Sequence, residues 1–242
     1  MTRVTFLAHS GCLVELPGRC LLFDWWKGAL PPLPDKPLLV FASHVHPDHF
    51  DPQIFALDDG RRDVTFLLAK DIRLTPRHRE RWGVGDGTAA RCRSLGGGEH
   101  LELPGLAVDT LFSTDEGVAF AVTADGQTVY HAGDLNWWHW EGEPEAANRD
   151  MAARFRRYLA PLEGRRIDFA FAPLDPRLED AYDRGLVWLL SRCDVRRAFP
   201  IHLWGQFGLI GRFCAEHPEL ADRVVPVERD GQSWDFPDGP AV

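Results

Sequence analysis

The feature that most constrains this chain is an apolar run that ends in potential metal ligands. Leu38-Leu39-Val40-Phe41-Ala42 leads directly into Ser43-His44-Val45-His46-Pro47-Asp48-His49-Phe50-Asp51. A short continuous apolar run reads as a buried strand. Three imidazoles and a carboxylate at its end are hard to account for by packing, and they read as a metal site. His44 and His46 are two apart, so in extended backbone they face the same side. Pro47 disfavours helix at His46. Asp51-Pro52 has the form of a helix start, an N-cap followed by proline at the first helical position. Asp48 and His49 then lie in the turn between strand and helix.

The chain has 242 residues, 45% hydrophobic and 26% charged, enough for one large core in an ordinary globular composition. Its net charge of −9 argues against general nucleic-acid binding, which needs Lys and Arg to neutralise phosphates. Five scattered cysteines, Cys12, Cys20, Cys92, Cys193 and Cys214, contain no C-x-x-C pair. They read as reduced thiols of a cytoplasmic protein rather than a disulfide framework. No run is long and apolar enough for a signal or a membrane span, so no membrane partner is expected.

Short β-prone runs fill the first forty residues, separated by Gly11, Gly18 and the prolines of 31–37. A short helix is expected at 51–57, a strand at 64–69 and a charged surface helix at 77–82. Residues 91–134 return to a β pattern, with a hairpin across Asp125-Gly126. The second half should place a long helix at 145–159, a strand at 167–172, a helix at 178–193, a strand at 197–201 and a helix at 209–217. A closing hairpin is expected from 224–228 and 232–236. No repeat or linker interrupts the pattern, so a single domain over 1–242 is expected, with two packed sheets and helices outside them.

A catalytic metal site needs further His or carboxylate ligands from other strand ends. Asp134, in His131-Ala132-Gly133-Asp134, and His202, in Phe199-Pro200-Ile201-His202, are the candidates. Each alone reads as a turn or a hydrogen-bonded histidine; together with the first cluster they become ligands. By alternation His131 faces away from Asp134.

With these residues in place the chain resembles the metallo-β-lactamase superfamily, whose signature is H-x-H-x-D-H after a strand, then Gly-Asp, then a final strand-end His. Here these are His44, His46, Asp48 and His49, then Gly133-Asp134, then His202. His9 and its surroundings, followed by Leu22-Phe23-Asp24, look like the lactonase and phosphodiesterase-like branch. The resemblance implies an α+β fold, an αββα sandwich of two mixed β-sheets flanked by helices. It also implies two divalent ions, commonly zinc, with manganese or iron as alternatives. By position, His44 and His46 would hold the first ion and Asp48, His49 and His202 the second, with Asp134 bridging. Such a pair lowers the pKa of a bridging water and makes it a nucleophile at neutral pH; Asp48 would be the catalytic residue that orients it.

One family ligand is missing, a further histidine before the strand pair leading to Gly-Asp. Asp115 is the best substitute, ahead of Ser113, Thr114 and Glu116, and a surface-loop reading of Asp115 stands beside it. A carboxylate there would favour manganese or iron, or leave a mononuclear centre. Trp25-Trp26 and Asn136-Trp137-Trp138-His139-Trp140 either pack beneath loops or wall a pocket, with Trp137 and Trp138 as substrate-binding candidates. Arg177 could hold a substrate carboxylate or phosphate, or pair with Asp175 or Glu179. His9 and Asp24 are expected to orient ligand imidazoles.

The function expected is metal-dependent hydrolysis of an ester, lactone, amide or phosphodiester bond in a small-molecule substrate, anionic ones included. A nucleic-acid phosphodiesterase and a non-catalytic metal-binding or interaction protein are the alternatives. Salt-dependent nucleic-acid binding, or bound metal without turnover, would mark them out.

Overall fold

A computed structural model describes residues 1–237. In chain order its strands are β1 (Thr2–Ala8), β2 (Gly11–Glu15), β3 (Cys20–Phe23), β4 (Leu38–Ala42), β5 (Val64–Ala69), β6 (Cys92–Leu95), β7 (His100–Leu103), β8 (Leu106–Phe112), β9 (Val118–Ala124), β10 (Gln127–His131), β11 (Arg166–Ile167), β12 (Phe169–Pro173), β13 (Asp194–Val195), β14 (Ala198–Ile201) and β15 (Gln232–Phe236). The helices are α1 (Pro76–Trp82), α2 (Asp86–Ala90), α3 (Glu145–Leu159), α4 (Arg184–Arg192) and α5 (Gly208–Glu216). The fold is α+β, with mixed sheets flanked by helices. Contacts divide the chain into two compact units, residues 1–96 with 230–237, and residues 97–229.

The first unit is built on a seven-stranded sheet in the order β15-β1-β2-β3-β4-β5-β6. Its first four strands are antiparallel to one another; from β3 to β6 the pairing is parallel. Every residue of β3 and β4 is buried, as continuous apolar runs in parallel strands demand. One face of the sheet, through Leu22, Val40, Phe66 and Leu68, packs on Phe50, Ile54, Phe55 and Ile72 from the connecting segments. On the strands, Phe23 and Phe41 stack at 4.5 Å. The short helix at Pro52–Leu57 is 3₁₀, and Asp51 caps it by accepting from the Gln53 N–H at 2.7 Å.

The second unit repeats this logic with six strands, β14-β12-β10-β9-β8-β7. Here β7 to β10 are antiparallel, while β10, β12 and β14 are parallel. The β9–β10 hairpin turns on Asp125 (φ 50°) and Gly126 (φ 74°), the doubly left-handed geometry that Asp-Gly favours. Helix α3 buries Asn148, Ala152, Phe155 and Leu159, one face at helical spacing. Its exposed side carries the Glu145–Arg149 and Asp150–Arg154 pairs at 2.7 and 2.9 Å, worth about 0.3–0.5 kcal/mol each.

Three expectations about the elements need correction. The helix expected at 178–193 is a 3₁₀ segment at Pro176–Ala181 and then α4, because the backbone leaves helical geometry at Glu179 (φ 52°, ψ −118°). The closing hairpin is absent among the described residues. Gln232–Phe236 instead pairs with β1, and Val225 donates its N–H to the Ala198 carbonyl at 2.8 Å. Pro226 has no N–H to continue a strand ladder there. The strand at 167–172 is two pieces, β11 and β12, broken at Asp168, whose carboxylate accepts the Thr128 N–H at 2.9 Å.

Candidate functional site

In the first unit the adjacent parallel strands β3, β4 and β5 release their carboxyl ends side by side, which is where open α/β sheets bind ligands. Asp24 follows β3, Ser43 to His49 follow β4, and Asp71 follows β5. Asp24 is fully buried and holds the β4 loop: its Oδ1 accepts the Ser43 N–H at 2.7 Å and its Oδ2 the Ser43 hydroxyl at 2.6 Å. Asp71 pins the loop further along by accepting the Val45 N–H at 2.9 Å. The chain then turns, with the His49 and Phe50 N–H groups both donating to the His46 carbonyl.

This scaffold sets the histidine tautomers. His49 Nδ1 lies 2.8 Å from Asp24 Oδ2, so its Nδ1 carries the proton and Nε2 keeps a lone pair. The Ser43 hydroxyl donates to the Asp24 carboxylate, the stronger acceptor, so His44 Nδ1 at 3.0 Å donates to Ser43 Oγ. His44 Nε2 is then also a lone-pair donor. His44 and His46 have ring centroids 4.6 Å apart, and each offers a ligand atom within 4.8 Å of the other's. His9, Asp48 and His49 form a second grouping within the same limit. Asp48 Oδ2 is 3.4 Å from His9 Nε2 and 4.0 Å from His49 Nε2.

In the second unit the strand ends of β10, β12 and β14 are arranged in the same manner: Asp134 follows β10, Asp175 follows β12 and His202 follows β14. His202 Nδ1 is 2.7 Å from Asp175 Oδ2, and its Nε2 is 3.3 Å from Asp134 Oδ1. Burial alone would raise the Asp175 carboxyl, but hydrogen bonds from His202 and Arg177 outweigh it and hold it down at about 2. Asp134 sits on a turn in which Leu135 N–H donates to the Ala132 carbonyl, with Gly133 at φ 51°. Thr114 braces that turn: its hydroxyl donates to the Asn136 carbonyl at 2.7 Å and accepts the Asn136 N–H at 3.0 Å.

The tryptophan loop divides in two. Trp138 is buried, donates to the Asp134 carbonyl at 3.0 Å, stacks on Trp140 and meets His202 edge-on at 5.7 Å. Trp137 turns the other way, under Arg156 at 4.4 Å and against Trp188 at 6.0 Å. Asn148 fixes the loop to α3 through the Trp140 N–H and carbonyl. Arg177 forms the structural pair with Asp175, Nη2 to Oδ2 at 2.6 Å. Asp115 is exposed and falls in no ligand grouping among the described residues. Its N–H donates to Ser113 Oγ at 3.2 Å.

Sequence reasoning missed three contributors. His9 groups with Asp48 and His49 as a candidate ligand, beyond the orienting role expected of it. Asp175 orients His202 from 27 residues away, and its strand-end position was the available signal. Trp204 stands 46% exposed beside His202, ring centroids 5.5 Å apart. Of the six non-glycine residues with positive φ among the described residues, four belong to this set: His9 (55°), Asp24 (44°), His202 (64°) and Trp204 (51°). Such backbone is strained for non-glycine residues and concentrates where function demands it.

The model of a beta-lactamase superfamily domain matches residues 3–146, more than half the chain. The chain belongs to the metallo-β-lactamase superfamily. A UPF0173 metal-dependent hydrolase of Opitutus terrae is 32% identical over 152 residues, a match covering 54% of this chain and 62% of that relative. The chain therefore spans less than two thirds of the relative's length. Among solved structures, Igni18, a metallo hydrolase from Ignicoccus hospitalis, aligns at a TM-score of 0.61 with 18% identity, covering 98% of this chain and 99% of that one. The metallo-β-lactamase fold protein YhfI from Bacillus subtilis aligns at 0.56 with 13% identity, covering 97% and 100%. At these identities the structures share the superfamily's fold. Among the described residues, no helix is long and apolar enough to cross a membrane.

Proposed function

We propose that this chain is a metal-dependent hydrolase and one domain over 1–242, with histidine and aspartate ligands holding two divalent ions. The observation that carries the reading is the stance of His202. Its Nδ1 is committed to Asp175, so the lone pair of Nε2 faces the Asp134 carboxylate at 3.3 Å. Two electron-rich atoms at that separation accommodate a cation between them. Around a tetrahedral ion with bonds of ~2.1 Å, neighbouring ligand atoms stand about 3.4 Å apart, and His9 and Asp48 stand 3.4 Å apart as well. The donors are imidazole nitrogens and carboxylate oxygens, which suit zinc, manganese or iron.

By the superfamily's pattern His44 and His46 would hold the first ion, Asp48, His49 and His202 the second, and Asp134 would bridge. His9 adds a donor on the Asp48 side, and Asp115 is the weaker of the two additions because it is exposed. Bound ions of this kind supply a hydroxide nucleophile at neutral pH and stabilise developing negative charge. Asp48, a quarter exposed, would accept a hydrogen bond from that nucleophile and orient it. Asp24 and Asp175 hold His49 and His202 in the tautomer that presents Nε2. Trp204, which is exposed, would give the substrate an apolar surface beside His202, whereas Trp138 is buried against Trp140 and Trp137 is taken up by packing on α3 and α4. Arg177 is committed to Asp175, the alternative weighed for it from sequence.

The substrate is proposed to be a small molecule with an ester, lactone, amide or phosphodiester bond, and the relative from Opitutus terrae supports the hydrolytic reading. Elemental analysis of the purified protein, with turnover measured on panels of those four bond types, tests it. Stoichiometric metal and an activity that EDTA removes, and that His46→Ala and Asp48→Ala abolish, are the expected results. Protein that binds no metal, or variants with full activity, would overturn it.

A further inference from the structure

Arg177 is restrained far more than its exposure calls for. Its side chain is 46% exposed, where an arginine ordinarily keeps its rotamer freedom. Yet its guanidinium carbon lies 4.8 Å from the Trp204 ring, 5.7 Å from Trp140 and 6.0 Å from Trp138. Inside that cage Nε is 3.0 Å from both Asp175 oxygens and Nη2 is 2.6 Å from Oδ2. The Arg177 backbone N–H adds a bond to Oδ1 at 2.8 Å. Asp175 is fully buried, and its Oδ2 also accepts from His202 Nδ1 at 2.7 Å and from Trp204 Nε1 at 3.3 Å.

The order of these contacts gives them a direction. Three indoles fix the plane of the guanidinium, the guanidinium's fork fixes both oxygens of Asp175, and Asp175 fixes the ring of His202. A substrate anion would have to draw the fork away from a carboxylate that is already desolvated, and a buried carboxylate left without its cation is strongly penalised. Lysine has no planar fork and could not hold both oxygens in one orientation.

We propose that Arg177 is a positioning residue, which acts through Asp175 to set the tautomer and aim of His202, and that the Trp138, Trp140 and Trp204 cage exists to hold it there. The inference rests on the hydrolase reading for what His202 holds, but not for how His202 is held. The test uses the full chain with Arg177→Lys and Arg177→Met. Long-range ¹H–¹⁵N spectra of the metal-free protein report the His202 tautomer, and competition with a chromogenic chelator reports zinc affinity.

Both variants are expected to show His202 shifted from a pure Nδ1–H form to a tautomer mixture. They should also release their weaker zinc about 10–100-fold more readily. Trp204→Phe, which keeps the fork and removes one donor, should move both readouts less in the same direction, and it decides the case if Arg177→Met does not fold. Wild-type tautomer and wild-type zinc affinity in Arg177→Lys and Trp204→Phe would overturn the proposal. His202→Ala separates the two readings. Unchanged zinc affinity there defeats His202 as a ligand, while the metal-free spectra still decide the role of Arg177.

Discussion

Asp175 Oδ2 lies 2.7 Å from His202 Nδ1, and in the other unit Asp24 Oδ2 lies 2.8 Å from His49 Nδ1. The same device recurs in both units: a buried carboxylate from one parallel strand end accepts a hydrogen bond from the Nδ1–H of a histidine that follows a neighbouring strand. Each pair leaves Nε2 as the donor. Asp24→Asn and Asp175→Asn keep the shape but offer one acceptor and one donor in place of two acceptors. Each should weaken metal binding about 10–100-fold, measured by chelator competition. Unchanged affinity in both would show that the carboxylates serve only the fold.

The sequence offers Thr114 as a weak ligand, and the structure makes it a brace. Its hydroxyl serves both the N–H and the carbonyl of Asn136, two residues beyond Asp134. Thr114→Val removes both bonds at constant shape and leaves two buried backbone groups short of partners, at about 1–3 kcal/mol. Urea denaturation should show that loss, and metal binding should weaken with it as the Asp134 turn loosens. A variant as stable as the parent would contradict the assignment.

Gly185, in the first turn of α4, lets the helix lie against the Asn136 carboxamide. A Cβ there would meet Asn136 Oδ1 at 1.9 Å and the Trp137 nitrogen at 3.3 Å. Gly185→Ala should destabilise by about 1–3 kcal/mol through overpacking, despite the better helix propensity of alanine. Adding Asn136→Ala should recover part of the loss, a coupling that a double-mutant cycle in urea measures.

Three of the thiols should be chemically quiet. Burial pushes Cys20 and Cys193 up to about 11, and Cys12 well above the usual thiol range. Since the thiolate is the reactive form, a raised pKa means that these groups are protonated at pH 8 and inert. Ellman's reagent should therefore label Cys12, Cys20 and Cys193 slowly in native protein and at once in guanidinium chloride. Prompt native labelling of all three would mean that the core opens readily.

Local signals in the sequence were strong where the structure obeys them. Residues 20–23, 38–42, 64–69 and 145–159 form elements with the expected bounds, because continuous apolar runs and a clean helical period dominate those segments. The His44–His49 cluster stands out in the sequence because three imidazoles and a carboxylate crowd into six residues. What was illegible depends on pairings distant in sequence. Asp175 declares its role only beside His202, and Gln232–Phe236 finds β1 rather than its neighbour in the chain. Glu179 breaks a helix that its composition would have allowed.

The left-handed backbone at His9, Asp24, His202 and Trp204 has a consequence for the history of such a chain. Each of these positions holds about 1–3 kcal/mol of strain, present whether or not a ligand is bound. On the hydrolase reading proposed above, stability and chemistry are thus set against each other at the same four residues. A lineage screened only for heat resistance, with no demand on turnover, should drift at His9 towards asparagine or glycine, which accept that backbone more readily. The imidazole would be given up before the strands that carry it.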